Sequence, residues 1–550
     1  METLSSFNRD KMISKMKVEE YDLLIIGGGI TGAGIALDAA SRGLKTALVE
    51  RDDFASGTSS RSTKLIHGGL RYLKQFEIAM VREVGQERAI VHKLAPHLVT
   101  PEKMLLPLIK GGSFGKITTS LGLMIYDVLA GVEKADQRKM LDEKETLAAE
   151  PLLPPEIVEG GGIYAEYRTD DARLTIEVIK TAAQYGAHII NYMVAKDFIY
   201  RNNMVCGIAC KDLISGKELD LKSKFVVSAA GPWVDDLRSK NKSKTKKGLI
   251  LSKGVHIVVA NKRFPVKQSV YFDVLDGRMI FAIPRGKITY IGTTDTFYEG
   301  DKDNVQTYKE DATYLLDAVN NIFPSLQLKL EDIESSWAGL RPLIYEEGKS
   351  ASEVSRKDEI FESPSGLISI AGGKLTGYRI MAEKLVDLVI NKFTKAYGGT
   401  FINCKTDKIV FTGGKFKDTK EVNTYTKVVL KKIANTGLNN FHADYLVSNY
   451  GKQTELILEK MDEITATDPE VKLGKAELWF TVNYEMVFSL LDYFSRRSGR
   501  LYFDIQSIAK LKKPLVKDLG KMLDWNNSKT KQELASLDQA VYNAGTVFKN

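Results

Sequence analysis

The sequence predicts an α/β fold in three parts, namely a parallel-sheet domain, an antiparallel-sheet domain and a helical C-terminal domain. Three observations support this prediction. Apolar runs of strand length end in glycine-rich turns at three distant places, as expected for parallel strands that are covered on both faces. Short alternating segments fill residues 240–360, and this alternation is typical of antiparallel strands. After residue 392 glycine becomes scarcer and apolar residues recur at helical spacing.

A chain of 550 residues is longer than one hydrophobic core usually organises, so we expect several domains. Because the three glycine junctions lie far apart in sequence, the parallel-sheet domain must be assembled from separate segments. We predict that it comprises residues 18–100, 160–238 and 362–392. The antiparallel-sheet domain takes residues 101–159 and 239–361, and the helical domain takes residues 393–550.

The composition narrows the classes of function. The three cysteines form neither a CxxC pair nor a metal-ligand spacing with the histidines, and their odd number argues against a disulfide framework. We therefore expect no metal and a reducing cytoplasm. No apolar run reaches the roughly 18 residues that span a bilayer. The first 17 residues are also too polar for a signal peptide.

The net charge of +8 could serve an anionic lipid, an anionic substrate or nucleic acid, or belong to an ordinary solvated surface. The sequence contains no zinc finger, aromatic RNA-binding motif or arginine-rich arm, so we expect no nucleic acid partner. Residues 103–134 mix apolar side chains with lysines. This stretch predicts either docking on anionic lipid or packing in the core.

The first element is a βαβ unit at residues 22–50, whose turn has the sequence GGGITG. In such a unit Gly27 permits the tight turn, Gly29 lets the backbone approach a pyrophosphate, and Gly32 lets helix and strand pack closely. Glu50 ends the second strand, where it can accept hydrogen bonds from a ribose. Glycine-rich turns are common by themselves, but these features in register predict a dinucleotide-binding site.

Two further strands end in glycine turns that we expect at the same site. Residues 225–230 run into Gly231, and residues 367–371 run into a glycine pair. A hydroxyl-rich stretch, residues 56–62, follows the ribose acid closely and suits a pyrophosphate and a ribityl chain, although a flexible serine loop would look the same. The glycine turn serves NAD and FAD alike, and this stretch favours FAD.

Six motifs then occur in order along the chain: LLIIGGGITGAG (23–34), TSSRSTKLIHGGLRYL (58–73), AAGPW (229–233), IGTTD (291–295), GLRPL (339–343) and GGKLTGYR (372–379). A helical segment at residues 476–499 follows them. With these motifs the sequence resembles the FAD-dependent glycerol-3-phosphate dehydrogenases over nearly its whole length. The resemblance implies a Rossmann-like FAD-binding domain of the glutathione-reductase and D-amino-acid-oxidase type, an antiparallel-sheet substrate domain and a helical C-terminal cap.

The resemblance also implies an activity and a location. We expect noncovalent FAD, oxidation of sn-glycerol 3-phosphate to dihydroxyacetone phosphate, and electron transfer to a membrane quinone. We expect a cytoplasmic protein attached peripherally to the inner face of the cell membrane. The sequence does not decide the oligomeric state, and a homodimer stays open.

Most of the predicted residues of the FAD site lie in these motifs, and the glycines and Glu50 of the βαβ unit are predicted from their spacing as well. His67 is expected near the flavin ring rather than as a catalytic group. The predicted cofactor contacts are Gly27, Gly29, Gly32, Glu50, Thr58, Ser59, Ser60, Lys64, Leu65, His67, Val194, Ala230, Gly231, Gly373, Leu375 and Thr376.

The resemblance places a cationic cradle for the substrate phosphate beside this site. We predict Arg71, Tyr72 and Arg356 as substrate-binding residues and His256, Arg341 and Lys374 as catalytic residues. A guanidinium fork matches phosphate oxygens in two-point contact, although a lone arginine is usually a surface residue. His256 is the candidate for the hydroxyl proton because its ordinary pKa lies close to working pH. Alternatively, Arg341 or Lys374 holds the alkoxide while solvent takes the proton.

Three other functions compete with this prediction. A glycerol-3-phosphate oxidase would pass electrons to oxygen, but that group carries an additional internal segment that we do not find here. An amino-acid oxidase-like flavoenzyme would bind a carboxylate, which needs about one arginine, so several cations favour a phosphate. A redox sensor would hold FAD without turning over a substrate.

Overall fold

The computed structural model describes residues 4–66, 78–112, 138–274, 276–346 and 357–549. Its strands in chain order are β1 (Glu20–Ile26), β2 (Thr46–Val49), β3 (Leu65–Ile66), β4 (Thr100–Ile109), β5 (Lys139–Leu141), β6 (Val158–Arg168), β7 (His188–Ile190), β8 (Met193–Arg201), β9 (Met204–Asp212), β10 (Glu218–Ser228), β11 (Lys247–Ala260), β12 (Ser269–Asp273), β13 (Met279–Arg285), β14 (Ile288–Gly292), β15 (Thr296–Phe297), β16 (Ile333–Glu346), β17 (Asp358–Glu362) and β18 (Ile368–Gly372). Its α-helices are α1 (Arg9–Val18), α2 (Ile30–Ser41), α3 (Ile78–Leu94), α4 (Glu143–Ala149), α5 (Asp171–Gln184), α6 (Val234–Lys240), α7 (Lys309–Ile322), α8 (Tyr378–Tyr397), α9 (Thr419–Ile433), α10 (Asn440–Tyr450), α11 (Thr454–Glu463), α12 (Pro469–Tyr484), α13 (Arg500–Phe503), α14 (Ile505–Met522) and α15 (Asn527–Gly545).

The first sheet has the strand order β17-β18-β10-β1-β2-β7. β1 pairs in parallel with β10 and β2, and β10 pairs in parallel with β18. β17 and the pair β8–β9 extend this parallel core with antiparallel pairings. The three strands that end in glycine turns are therefore neighbours in one sheet. Because they are parallel, their carboxyl ends meet at one edge of the sheet.

Helix α2 explains the small residues of the first βαβ unit. Nearly all of its residues are buried, because it packs against β1 and β2 on one side and against α5 and α8 on the other. At Gly34 a Cβ would come within 2.8 Å of the Tyr378 ring in α8. The alanines and glycines of this helix are thus a consequence of close packing between layers.

The second sheet has the order β15-β11-β14-β13-β12-β4-β6-β3, with β16 beside β11 and β5 beside β6. Apart from the parallel pair β12–β4, its pairings are antiparallel, as the alternating pattern predicts. The long strands β11 and β16 set His256 opposite Trp337 and Ser252 opposite Arg341. Residues an even number apart in a strand share a face, so these four side chains lie on the same side of the sheet.

From α9 onwards the described chain is helical, as predicted, and much of this region packs around a core of its own. A second core joins it to the second sheet, where Tyr290 and Trp337 lie with Tyr493 and Leu511. Within the described ranges, no helix has the length and apolarity needed to cross a membrane. The same parts of the chain contain no group of three or more His, Cys, Asp or Glu side chains that could hold a metal ion.

Candidate active site

The glycine turn after β1 forms one wall of the site. Gly27 has a φ of +115°, a backbone conformation that glycine adopts readily. A Cβ on Gly32 would lie 1.9 Å from the carbonyl oxygen of Gly27, so α2 can begin this close to the strand only with glycine there. At Gly29 a Cβ would meet the Ser59 hydroxyl at 3.1 Å. Ile30 and Thr31, the first residues of α2, line the cavity at this turn, where a helix N-terminus favours an anionic group.

Glu50 closes the turn from the other side. Its carboxylate accepts hydrogen bonds from the backbone N–H of Gly28 at 2.6 Å and of Asp52 at 2.9 Å. A carboxylate offers about four lone pairs, so acceptors remain for ribose hydroxyls. Burial raises the pKa of Glu50 to about 7, although the two backbone hydrogen bonds oppose the shift. Hydroxyl donors from a ribose would favour its ionised form in the same way.

The serine-rich stretch connects the two sheets at the site. The Ser59 hydroxyl accepts a hydrogen bond from the backbone N–H of Ile30, at the start of α2, at 2.9 Å. The Thr58 hydroxyl donates to the carbonyl oxygen of Leu340 in β16 at 2.7 Å. Residues 58–60 therefore join the first βαβ unit to the long β11–β16 ladder.

Ser60 and Lys64 play a different part from Thr58 and Ser59. Lys64 forms a buried ion pair with Asp171 at 2.6 Å and donates to the carbonyl oxygen of Ser60 at 3.0 Å. Neither Ser60 nor Lys64 lines the cavity at the site. The Lys64 side chain thus holds the serine-rich stretch through the backbone of Ser60, and a contact between either residue and a cofactor stays a prediction.

A cavity of about 460 Å³ opens at the carboxyl ends of β1, β10 and β18, against the β11–β16 ladder. Its lining includes the predicted residues Gly27, Gly29, Glu50, Thr58, Ser59, Leu65, Val194, Ala230, Gly231, His256, Arg341, Gly373, Lys374, Leu375 and Thr376. Backbone amides, hydroxyls and the Glu50 carboxylate form a donor and acceptor set that fits the pyrophosphate and ribose of FAD. The predicted residues Arg341, Lys374 and His256 line the same cavity, together with Arg51 and Arg61.

Arg341 lies partly buried in the cavity wall. Its guanidinium donates to the Thr293 hydroxyl at 2.9 Å and to the carbonyl oxygen of Thr294 at 3.3 Å. It also forms an ion pair with Asp295 at 3.3 Å. The group passes over Gly254, where a Cβ would come within 2.3 Å of a guanidinium nitrogen. These contacts hold the fork in one orientation, as two-point recognition of a phosphate requires.

His256 is buried beside the guanidinium. Its ring stacks on Trp337 with 4.8 Å between the centroids and 11° between the planes. Its Nε2 lies 3.0 Å from the hydroxyl of Thr63. Burial lowers the pKa of His256 well below its usual value, and the positive charges of Arg341 and Lys64 lower it further. The imidazole is therefore neutral near pH 7 and able to accept a proton.

Lys374 reaches the cavity from the third glycine junction. The chain leaves β18 through Gly372 and Gly373, which both have positive φ, and enters a 3₁₀ turn, Leu375–Gly377, that leads into α8. This turn sets Lys374, Leu375 and Thr376 along the cavity wall. The three distant motifs of the first sheet thus converge on one site.

Some predicted residues fall outside this description. His67, Arg71, Tyr72 and Arg356 lie outside the described residues, as do residues 113–134 of the lysine-rich stretch. For the start of that stretch, the interpretation as a lipid-docking surface is wrong. Met104, Leu105 and Leu106 are buried in β4, which lies between β12 and β6 inside the second sheet, so they cannot contact lipid.

Sequence reasoning missed several contacts at the cavity. Trp337 stacks on His256 although the two residues belong to different strands. Asp303 pairs with Arg51 at 2.6 Å and accepts a hydrogen bond from the indole N–H of Trp233 at 3.0 Å. Both of these partners line the cavity. Trp233 belongs to a motif, but neither Asp303 nor Trp337 has a local signal that predicts its partner.

Comparisons with known proteins agree with this geometry. Residues 22–379 match the family described as FAD dependent oxidoreductase. Residues 404–530 match the C-terminal domain of alpha-glycerophosphate oxidase. The chain is 50% identical over 544 residues to the aerobic glycerol-3-phosphate dehydrogenase of Staphylococcus aureus, covering 98% of both chains.

Solved structures lead to the same family. The X-ray structure of the glycerol-3-phosphate dehydrogenase from Bacillus halodurans, complexed with FAD, superposes with a TM-score of 0.84 at 43% identity and 98% coverage of both chains. The L-alpha-glycerophosphate oxidase from Mycoplasma pneumoniae has a TM-score of 0.55 at 20% identity, with coverage of 70% of this chain and 97% of the other, which shows a shared fold alone. From the fold, the FAD-compatible cavity and these matches, the chain belongs to the family of FAD-dependent glycerol-3-phosphate dehydrogenases.

Proposed function

We propose that this protein oxidises sn-glycerol 3-phosphate to dihydroxyacetone phosphate and that a membrane quinone receives the electrons. The observation that carries the proposal is the presence of Arg341, Lys374 and a neutral His256 in the same cavity as the glycine turn and Glu50. Bound FAD supplies the hydride acceptor. Oxidising a secondary alcohol beside a phosphate ester further needs a cationic cradle and a route for the hydroxyl proton.

The phosphate cradle centres on Arg341 in this proposal. Thr293 and Asp295 hold the guanidinium of Arg341 in one orientation. The arginine side chain therefore loses little conformational entropy when the substrate phosphate binds. Lys374 adds a second positive charge to the cavity. A dianionic phosphate is favoured over a carboxylate by these two charges, and Arg71, Tyr72 and Arg356 complete the proposed cradle.

The proton route centres on His256. Trp337 fixes the plane of its ring, and the Thr63 hydroxyl lies within hydrogen-bond distance of Nε2. Kept neutral by burial, the imidazole accepts the proton of the substrate hydroxyl. In the alternative, Arg341 or Lys374 stabilises the alkoxide while solvent removes the proton.

Two properties of the proposed enzyme concern its surroundings. A quinone is confined to the membrane, so the protein works as a peripheral protein on the inner face of the cell membrane.

The name of the S. aureus relative, an aerobic dehydrogenase, supports an acceptor other than oxygen. The second candidate is an oxidase that uses oxygen, which the match of residues 404–530 to the C-terminal domain of alpha-glycerophosphate oxidase favours. A homodimer is the assembly that we propose to test first.

Anaerobic titration of the purified holoenzyme with glycerol 3-phosphate tests the activity. We expect the flavin absorbance to bleach with this substrate and to persist with glycine or other amino acids. Flavin that stays yellow with glycerol 3-phosphate would refute the proposal and favour a sensor.

Turnover under air identifies the acceptor. A dehydrogenase should need an added quinone analogue and release little peroxide. Peroxide formed at the same rate without the analogue would establish the oxidase instead.

A further inference from the structure

The turn after β2, residues 50–55, is hydrogen-bonded to the glycine turn of the FAD site. Its first residue, Glu50, accepts a hydrogen bond from the Gly28 N–H at 2.6 Å, and Ala55 donates its own N–H to the Gly28 carbonyl oxygen at 3.0 Å. Phe54 is fully buried against the same glycine, where a Cβ would lie 3.0 Å from its ring. A displacement of residues 50–55 would therefore move the ribose acid and the glycine turn together.

The middle of this turn is held by the C-terminal region of the chain. The buried carboxylate of Asp53 accepts hydrogen bonds from Arg496 at 2.6 Å and from both terminal nitrogens of Arg497 at 2.8 Å. Burial alone would raise the pKa of Asp53, but Arg497 and Arg496 hold it at about 2. Both arginines end a π-helical turn, Asp492–Arg497, a rare conformation that is frequent at functional sites.

The two arginines are themselves fixed by buried partners. Arg496 pairs with Asp492 at 2.8 Å, and Arg497 donates to the carbonyl oxygen of Glu485 at 2.8 Å. The Glu485 carboxylate pairs in turn with Arg173 of α5 at 2.6 Å. Buried ion pairs add little net stability compared with well-packed apolar residues, and in some proteins they are retained because they impose a defined geometry. Their position against Asp53 indicates that the geometry of the turn is what they determine.

We propose that the C-terminal domain is part of the FAD site, because Arg496 and Arg497 act through Asp53 as positioning residues for the ribose acid Glu50. The inference rests on the FAD binding of the proposed function and does not depend on the substrate. Neither arginine lines the cavity, so their effect on the cofactor is indirect.

The variant Asp53→Asn in the full-length protein tests the proposal, because it keeps the size of the side chain and removes its charge. FAD affinity is measured by flavin fluorescence during reconstitution of the apoprotein. We expect a dissociation constant raised by roughly tenfold or more. At saturating FAD, the KM for glycerol 3-phosphate should stay at the wild-type value.

Glu477→Gln is the matched control. Glu477 is also a fully buried carboxylate of the C-terminal region, and it accepts hydrogen bonds from Tyr445 at 2.7 Å and Tyr493 at 3.2 Å rather than from residues 50–55. We expect its FAD affinity to stay near the wild-type value. Equal weakening in Asp53→Asn and Glu477→Gln, or unchanged affinity in Asp53→Asn, would overturn the proposal.

Two further measurements cover the case in which Asp53→Asn does not fold. Arg497→Lys keeps the charge but cannot make both contacts to the carboxylate, and we expect it too to bind FAD more weakly. Hydrogen exchange of the wild-type protein needs no variant, because coupling between two sites is reciprocal. FAD should then slow exchange at residues 492–497 as well as at 50–55, and a response confined to 50–55 would overturn the proposal. Failure of glycerol 3-phosphate to bleach the flavin would leave the measurements of FAD affinity and hydrogen exchange unaffected.

Discussion

At the scale of single residues, the candidate site depends on charges whose state is set by their neighbours. Arg341 is oriented by Thr293 and Asp295, and His256 is kept neutral by burial and by nearby positive charge. Lys64 belongs to the same motif as several cofactor contacts, but its side chain is engaged in an ion pair with Asp171. Residue type alone would have assigned these basic side chains the same role, whereas their surroundings give them three different ones.

Replacing Arg341 tests the phosphate cradle. Arg341→Ala should lower kcat/KM for glycerol 3-phosphate by roughly 10² to 10³, because truncating one partner of a hydrogen-bonded charge pair usually costs about 2–5 kcal/mol. FAD content should not change, because the guanidinium contacts residues 293–295 rather than the glycine turn. Steady-state kinetics with a quinone analogue and the flavin-to-protein absorbance ratio measure the two effects.

Arg341→Lys serves as the companion variant, since it keeps the charge and loses the fork. We expect its kcat/KM to fall between those of wild type and Arg341→Ala. Unchanged kinetics in Arg341→Ala would remove this residue from the cradle.

The lowered pKa of His256 predicts how activity depends on pH. The ordinary pKa of histidine is 6.5, and that of His256 lies well below it. If the neutral imidazole accepts the hydroxyl proton, kcat/KM should stay constant as the pH is lowered through 6.5 and should fall only in more acidic solution. A profile of kcat/KM from about pH 5 to about pH 8 measures this. An acid limb at the ordinary histidine pKa would show that another group, or a solvated histidine, titrates.

The same shift has a defined sign for stability. The unfolded chain protonates His256 at a higher pH than the folded protein does, so the contribution of this residue to folding is complete above pH 6.5 and is lost as the pH falls. His256→Gln should therefore weaken the dependence of the free energy of unfolding on pH in acidic solution. Denaturant titrations of the apoprotein at several pH values would detect the difference, and parallel curves for the two proteins would contradict it.

At the scale of elements, the glycine turn combines two different requirements. Gly32 permits the close packing of α2 on the turn, whereas Gly29 faces the cavity. The first requirement belongs to the fold and the second to the ligand. A single alanine at each position should separate them.

Gly32→Ala should destabilise the apoprotein, because its Cβ would meet a backbone oxygen at 1.9 Å and no side-chain rotation can relieve that contact. Overpacking of this kind costs roughly 1–3 kcal/mol. Gly29→Ala should destabilise the apoprotein less than Gly32→Ala, because its Cβ would meet only the Ser59 side chain, at 3.1 Å, and a small shift can relieve that contact, but it should bind FAD more weakly. Thermal unfolding and FAD titration measure the two effects, and equal melting temperatures for the two apoproteins would count against this division.

At the scale of the whole molecule, the net charge of +8 would attract the protein to an anionic membrane surface, as the proposed peripheral attachment requires. We expect the protein to sediment with anionic vesicles at low ionic strength and to be released by salt, because such attraction is screened. Vesicles of zwitterionic lipid are the control. Protein that stays in the supernatant with both kinds of vesicle would contradict peripheral attachment.

The sequence by itself determined the parts of this protein that depend on local patterns. Apolar runs before glycine turns predicted β1, β10 and β18, alternation predicted the second sheet, and helical spacing predicted the C-terminal region. These patterns suffice because strand and helix periods and the backbone freedom of glycine act over a few residues. The spacing of the glycines and of Glu50 within one βαβ unit predicted a dinucleotide-binding site.

The tertiary structure alone decided which side chains meet and which charges are buried. It paired Lys64 with Asp171, stacked His256 on Trp337, buried residues 104–106 and brought Arg497 to Asp53. These contacts join segments that are distant in sequence, and they depend on which faces of the sheets and helices pack together. The protonation and orientation of a group follow from its burial and its partners, so the chemistry of the site is settled only once the chain has folded.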